Sequence, residues 1–84
     1  MSEVVLYGRP GCHLCDEARE YLESIIVLSG GELTLREVDI DGDDRLLREY
    51  LERIPVIEHR GEIIGELIPD PGALQMALLH NPSR

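Results

Sequence analysis

The stretch YGRPGCHLCDEARE, residues 7–20, holds both cysteines of this 84-residue chain, separated by His13 and Leu14. That spacing confines what the surrounding chain can be. Cys12 falls where a short apolar run, Val4 to Tyr7, gives way through Gly8, Pro10 and Gly11 to a helical pattern. The start of such a helix carries roughly half a positive charge and several N–H groups without intrahelical partners, and both favour a thiolate. Cys15, three residues on, lies on the same helical face. The two Cα atoms are then expected about 5–6 Å apart, inside the range a disulfide accepts. A chain built this way can close and reopen the pair without moving its fold.

Three chemistries suit two cysteines so placed. As a structural staple the bridge would close a very small loop, worth only about 2 kcal/mol on the chain-entropy model. As half of a metal site it would supply two thiolates, whereas a closed tetrahedral site takes four ligands. His59 and His80 are the distant candidates, in no ligand spacing, so two chains would have to share a metal or an iron–sulfur cluster through their thiols. As a reversible dithiol the pair needs nothing further, and a single Cys-x-x-Cys beside a βαβ pattern favours redox chemistry.

The rest of the chain supplies that pattern. Val4 to Tyr7 are apolar without alternation, as in a strand buried on both faces. Leu14, Ala18, Leu22 and Ile25, with Tyr21 and Ile26 beside them, recur at helical steps until Ser29, Gly30 and Gly31 end the run. A second strand is expected over residues 32–39. DIDGDD makes a turn, and Asp43 is a suitable N-cap for a helix carrying Leu46, Leu47, Tyr50 and Leu51. Ile54 and Pro55 break that helix, because the residue before a proline avoids helical backbone. Val56–Glu58 and residues 62–67 read as a hairpin turning at HRGE with Gly61 at positive φ. Asp70 caps a last helix that opens on Pro71, and residues 80–84 are expected to fray. The order β-α-β-α-β-β-α predicts one domain over residues 1–84, with a four-stranded mixed sheet flanked by helices.

Composition narrows the partners. Seventeen acidic residues face eight arginines and no lysine, a net charge of −9. A nucleic-acid-binding face would be basic, and an anionic lipid surface would repel this chain. No apolar run approaches the ~20 residues that span a bilayer, and MSEVVLYG lacks the pattern of a signal peptide. A cytoplasmic monomer is expected, in a compartment where a cysteine pair is catalytic or metal-bound more often than structural.

Around the dithiol, Arg9 and a protonated His13 favour a Cys12 thiolate, while Asp16 and Glu17 oppose it. Helix start plus Arg9 should prevail, placing the Cys12 pKa below that of an ordinary thiol. The remaining acids of this helix, Glu20 and Glu23, read with Asp16 and Glu17 as a solvated face, with Arg19 and Glu23 as an i,i+4 pair. His59 and His80 read as solvated, and Tyr7 either packs at the end of its strand or lines the site as a tuning or substrate-binding residue.

YGRPGCHLC, VDIDGDD and IPVI, in that order, resemble a small bacterial branch of glutaredoxin-like proteins of the thioredoxin-fold superfamily. The resemblance implies a thiol–disulfide oxidoreductase acting on protein or small-molecule disulfides, recharged by an upstream thiol reductant. Cys12 would attack the substrate disulfide and Cys15 would resolve the mixed disulfide. Ile54–Pro55 would be the family's cis-proline, lying against the dithiol and helping to hold the substrate chain. Arg9 matches the basic residue that glutathione-binding members carry three residues before the first cysteine. Gly65 and Asp70 occupy the region that holds glutathione's carboxylate there, so glutathione is the implied reductant, with no bound cofactor or metal expected. The departures have physical content. Leu6 stands where thioredoxin has a buried carboxylate, His13 and Leu14 replace its Gly-Pro, and Glu66 would repel an anion where a second glycine is usual. Two other classes remain open: a dimeric metal- or cluster-binding module, and an interaction domain whose dithiol is incidental.

Overall fold

The computed structural model describes residues 2–79. The expectations for His80 and for fraying over residues 80–84 lie outside the described residues. Four strands and three helices follow the expected order. They are β1 (Ser2–Gly8), α1 (His13–Leu28), β2 (Leu33–Asp39), α2 (Asp44–Tyr50), β3 (Val56–His59), β4 (Glu62–Glu66) and α3 (Pro71–Leu79), with a 3₁₀ turn at Ile40–Gly42 leading into α2.

The sheet runs β2-β1-β3-β4. β1 and β2 are parallel, as a βαβ crossover requires, and β3 and β4 add antiparallel neighbours. Val4 and Leu6 of β1 and Ile57 of β3 face α1 and α3, where they join Ala18, Leu22, Ile25, Leu74 and Leu78 in one core. With no Phe or Trp in the chain, that core is aliphatic. The alternate residues of β1 face the other way, where the Tyr7 ring packs against Tyr50 of α2, centroids 4.8 Å apart.

Local signals account for most boundaries. Ser29 ends α1, its hydroxyl donating to the Ile26 carbonyl at 2.6 Å and accepting from Leu33 N–H at 3.1 Å. One side chain thus closes the helix and aims β2. Asp43 caps α2, accepting from Arg45 and Leu46 N–H. The β3–β4 turn places both Arg60 and Gly61 at positive φ, 56° and 80°, as a two-residue hairpin demands.

Four expectations need correction. Leu14 does not join the buried stripe of α1; it is 37% exposed, and Cys15 takes the place at 3%. The stripe runs 15, 18, 22, 25, and Leu14 is rotated off it by one helical step. Arg19 bonds Asp16 and Glu37 instead of Glu23, because β2 brings Glu37 alongside α1. β4 stops at Glu66, and Leu67 turns to φ 63° while its N–H bonds the Arg53 and Pro55 carbonyls. His59 is buried, not solvated, opposite Val4 on the core face of the sheet.

Candidate active site

RPGC is a turn before it is a site. Cys12 N–H bonds the Arg9 carbonyl at 3.3 Å, with Pro10 and Gly11 between them and Gly11 at φ 80°. Pro at the second position and a left-handed Gly at the third are the requirements of a type II turn. The turn delivers Cys12 in extended backbone (φ −93°, ψ 107°) as the N-cap of α1. Its Sγ accepts the Cys15 N–H at 3.1 Å, the bond a Ser or Asp oxygen makes at other helix starts. The Cys12 sulfur is therefore also a group that caps the helix.

Cys12 and Cys15 are joined in a disulfide, with Cα atoms 5.2 Å apart. The two cysteines differ in access: Cys12 is partly exposed and Cys15 only 3%. Gly8 makes room for the buried partner. A Cβ on Gly8 would meet Cys15 Sγ at 3.0 Å and Cβ at 3.2 Å, tighter than most packed side chains, so Cys15 would have to shift.

The Ile54–Pro55 bond is cis, as the resemblance implies. Tyr7 pairs with Val56, so one step along the register brings Pro55 level with Gly8, on the strand ends that carry the dithiol. Pro55 is fully buried. Arg53 secures this approach. Its Nε and Nη2 bond both oxygens of Glu66, Nη1 bonds Glu49, and the guanidinium lies 5.2 Å from the Tyr50 ring centroid.

The other expected residues are spread around the pair. Arg9 reaches Asp41 of the 3₁₀ turn at 3.2 Å. His13 is 84% exposed and bonds Glu17, one turn along α1, at 3.0 Å. Tyr7 lies on the sheet face away from α1, where its hydroxyl donates to Glu58 at 2.8 Å. Burial and that bond push its pKa up to about 12, so it remains a neutral phenol at ordinary pH. An open cavity of about 240 Å³ adjoins Cys15, lined in part by Leu6, Gly8, Arg9, Arg19, Glu37 and Asp39. Sequence reasoning missed Arg19, Glu37 and Arg53 as neighbours of the site. The only local trace of the first is its place four residues after Cys15; the others arrive through strand pairing. Among the described residues no group of three or more His, Cys, Asp or Glu is placed to hold a metal ion.

With that geometry in view, the comparisons are specific. The family described as Glutaredoxin-like domain (DUF836) matches residues 3–75. The chain belongs to this family. Two solved structures resemble the glutaredoxin-like chain over nearly its whole length. Target protein XcR50 from X. campestris is 31% identical with a TM-score of 0.77, covering 94% of this chain and 99% of its own. Protein Ne2328 from Nitrosomonas europaea is 32% identical with a TM-score of 0.73, covering 92% and 91%. Oxidised mitochondrial thioredoxin 3 from Saccharomyces cerevisiae, at 20% identity and a TM-score of 0.66 over 95% of this chain and 78% of its own, shares the fold. No curated protein matches the chain. It is thus a glutaredoxin-like domain of thioredoxin fold carrying a Cys-x-x-Cys pair, consistent with redox function.

In this glutaredoxin-like domain Gly65 and Asp70 have structural roles. A Cβ on Gly65 would meet Leu74 and Pro69 side chains at 3.3 Å, so the glycine lets α3 close on the sheet. Asp70 accepts the Gly72 N–H at 3.1 Å and caps α3.

Proposed function

We propose that this protein is a dithiol thiol–disulfide oxidoreductase. The observation that supports this most is the asymmetry of a disulfide formed at a helix start, with Cys12 partly exposed and Cys15 buried beneath it. In the reduced protein the Cys12 thiolate, favoured by the N-terminal end of α1, attacks a substrate disulfide. One substrate sulfur leaves as a thiolate, and the other is joined to Cys12 as a mixed disulfide. Cys15 then loses its proton and attacks Cys12 Sγ. The Cys12–Cys15 bond forms and the second substrate sulfur leaves with the electron pair. Two electrons pass to the substrate, and an upstream thiol restores the pair.

Burial gives each sulfur its order in the sequence: a bulky disulfide can approach Cys12 but not Cys15. Partners are small or protein disulfides, recycling by glutathione is the proposed supply of electrons, and the cytoplasm is the proposed location. Arg9, bound to Asp41, is the candidate contact for an anionic reductant, with Gly65 and Asp70 on the β4–α3 side.

The test uses a disulfide-linked peptide and intact-mass detection. Cys12→Ser is expected to abolish peptide reduction, and Cys15→Ser to accumulate one peptide per chain on Cys12. Full activity in Cys12→Ser would overturn the reading. So would stoichiometric zinc or iron in protein purified without oxygen and lost in both variants, which is the outcome expected of a metal-binding module.

A further inference from the structure

The resolving step asks where the Cys15 proton goes. Cys15 is buried, and Leu6 and Gly8, which line the same cavity, carry no side-chain acceptor. A cavity of about 240 Å³ opens at this residue, and its walls hold three carboxylates: Asp16, Glu37 and Asp39. A volume of that size admits several waters at about 30 Å³ each.

The three carboxylates are not equivalent. Asp39 is spent on the 3₁₀ turn, its Oδ1 accepting the Asp41 N–H at 2.9 Å. Asp16 follows Cys15 directly, so its side chain is rotated about 100° around the helix from the sulfur. Glu37 lies opposite Leu6 in the parallel register of β1 and β2, on the face that α1 covers. Arg19, one helical turn beyond Cys15, donates from Nε to Glu37 Oε1 at 2.8 Å and from Nη1 to Asp16 at 3.3 Å. The helix that carries the thiol thereby also holds the acid beside it. Glu37 is 48% exposed, so a proton taken there passes on to solvent.

We propose that Glu37 accepts the Cys15 proton, through water in the cavity they share, as Cys15 resolves the mixed disulfide. The inference rests on the dithiol reading. The Cys15 S–H bond breaks as its sulfur attacks Cys12 Sγ, the proton moves through water to the Glu37 carboxylate, and the departing substrate sulfur takes the electron pair. The mixed disulfide is the oxidant, so no further reagent is needed. Arg19 is a positioning residue that fixes where the carboxylate stands.

Single-turnover kinetics with dithiobis(nitrobenzoate) separates the steps. The reduced protein releases one thionitrobenzoate when Cys12 attacks and a second when Cys15 resolves, and Cys15→Ser retains only the first release. Glu37→Gln keeps an acceptor for Arg19 but loses the base. It is expected to leave the first release at the wild-type rate and slow the second by about a hundredfold near neutral pH, the low end for positioned proton transfer. The deficit should shrink as pH rises, because hydroxide then takes the proton without help from a positioned carboxylate. Asp16→Asn, which removes the same charge from the same guanidinium, should slow the second release far less. An unchanged second release in Glu37→Gln would overturn the proposal, as would slowing independent of pH or an equal deficit in Asp16→Asn. A wild-type protein that releases only one thionitrobenzoate would instead overturn the dithiol reading beneath it.

Discussion

At the scale of single residues, His59 shows how a polar side chain can be hidden by register. Its alternation with Glu58 puts it on the core face opposite Val4, 8% exposed, and Nε2 has no hydrogen-bond partner among the described residues. Burial, and secondarily the Arg60 charge, push its pKa below the ordinary 6.5. The sign follows from proton counting. Between the depressed folded value and 6.5 the unfolded chain binds more protons than the native protein, so stability rises with pH across that window. Its contribution is whole above about 6.5 and is lost as pH falls toward the folded value. His59→Val should therefore flatten the pH dependence of urea unfolding just below pH 6.5; an unchanged slope would mean that His59 stays solvated. The reason this histidine was misread is physical. Histidine is common on surfaces, and only the pairing with β1 reveals that position 59 continues the face begun by Ile57. Cys12 and Cys15, by contrast, were legible because their chemistry depends on spacing along a single helix.

At the scale of elements, the caps were readable and the cross-links were not. Asp43, Asp70, Ser29 and Gly61 each act within a few residues, so their roles follow from local sequence. The bonds of Arg19 to Glu37, Arg9 to Asp41 and Arg53 to Glu66 join residues from different elements, and no periodicity announces them. The helix that matters most here is α1, because its cap is the proposed nucleophile. Serine can replace the Cys12 Sγ as acceptor for the Cys15 N–H, whereas alanine cannot. In reducing buffer Cys12→Ala should be less stable than Cys12→Ser by about 1 kcal/mol. For a domain of this size that corresponds to a melting temperature lower by about 4–8 °C. Equal melting temperatures would show that a side-chain acceptor at position 12 contributes nothing to the helix.

At the scale of the molecule, the order of elements and the mixed sheet were legible because each strand and helix carries its own period and punctuation. The extent of α2 was less so. It ends at Tyr50, and none of its residues is buried, so it holds to the sheet through the Tyr7–Tyr50 contact and the Arg53 bonds. The fold then sets Gly8, at the end of β1, beside Cys15 and level with the cis-proline that leads into β3. The proposed chemistry depends on that arrangement holding a pair that opens and closes without rearranging the rest. A redox titration in glutathione buffers of graded potential tests this most directly, with thiols quenched by alkylation and each species counted by intact mass. The account predicts two species, the dithiol and the Cys12–Cys15 disulfide, exchanging at a single midpoint. It would be contradicted by a lasting glutathione adduct on Cys12 with no internal disulfide at any potential, or by thiols that a bound metal keeps from reacting.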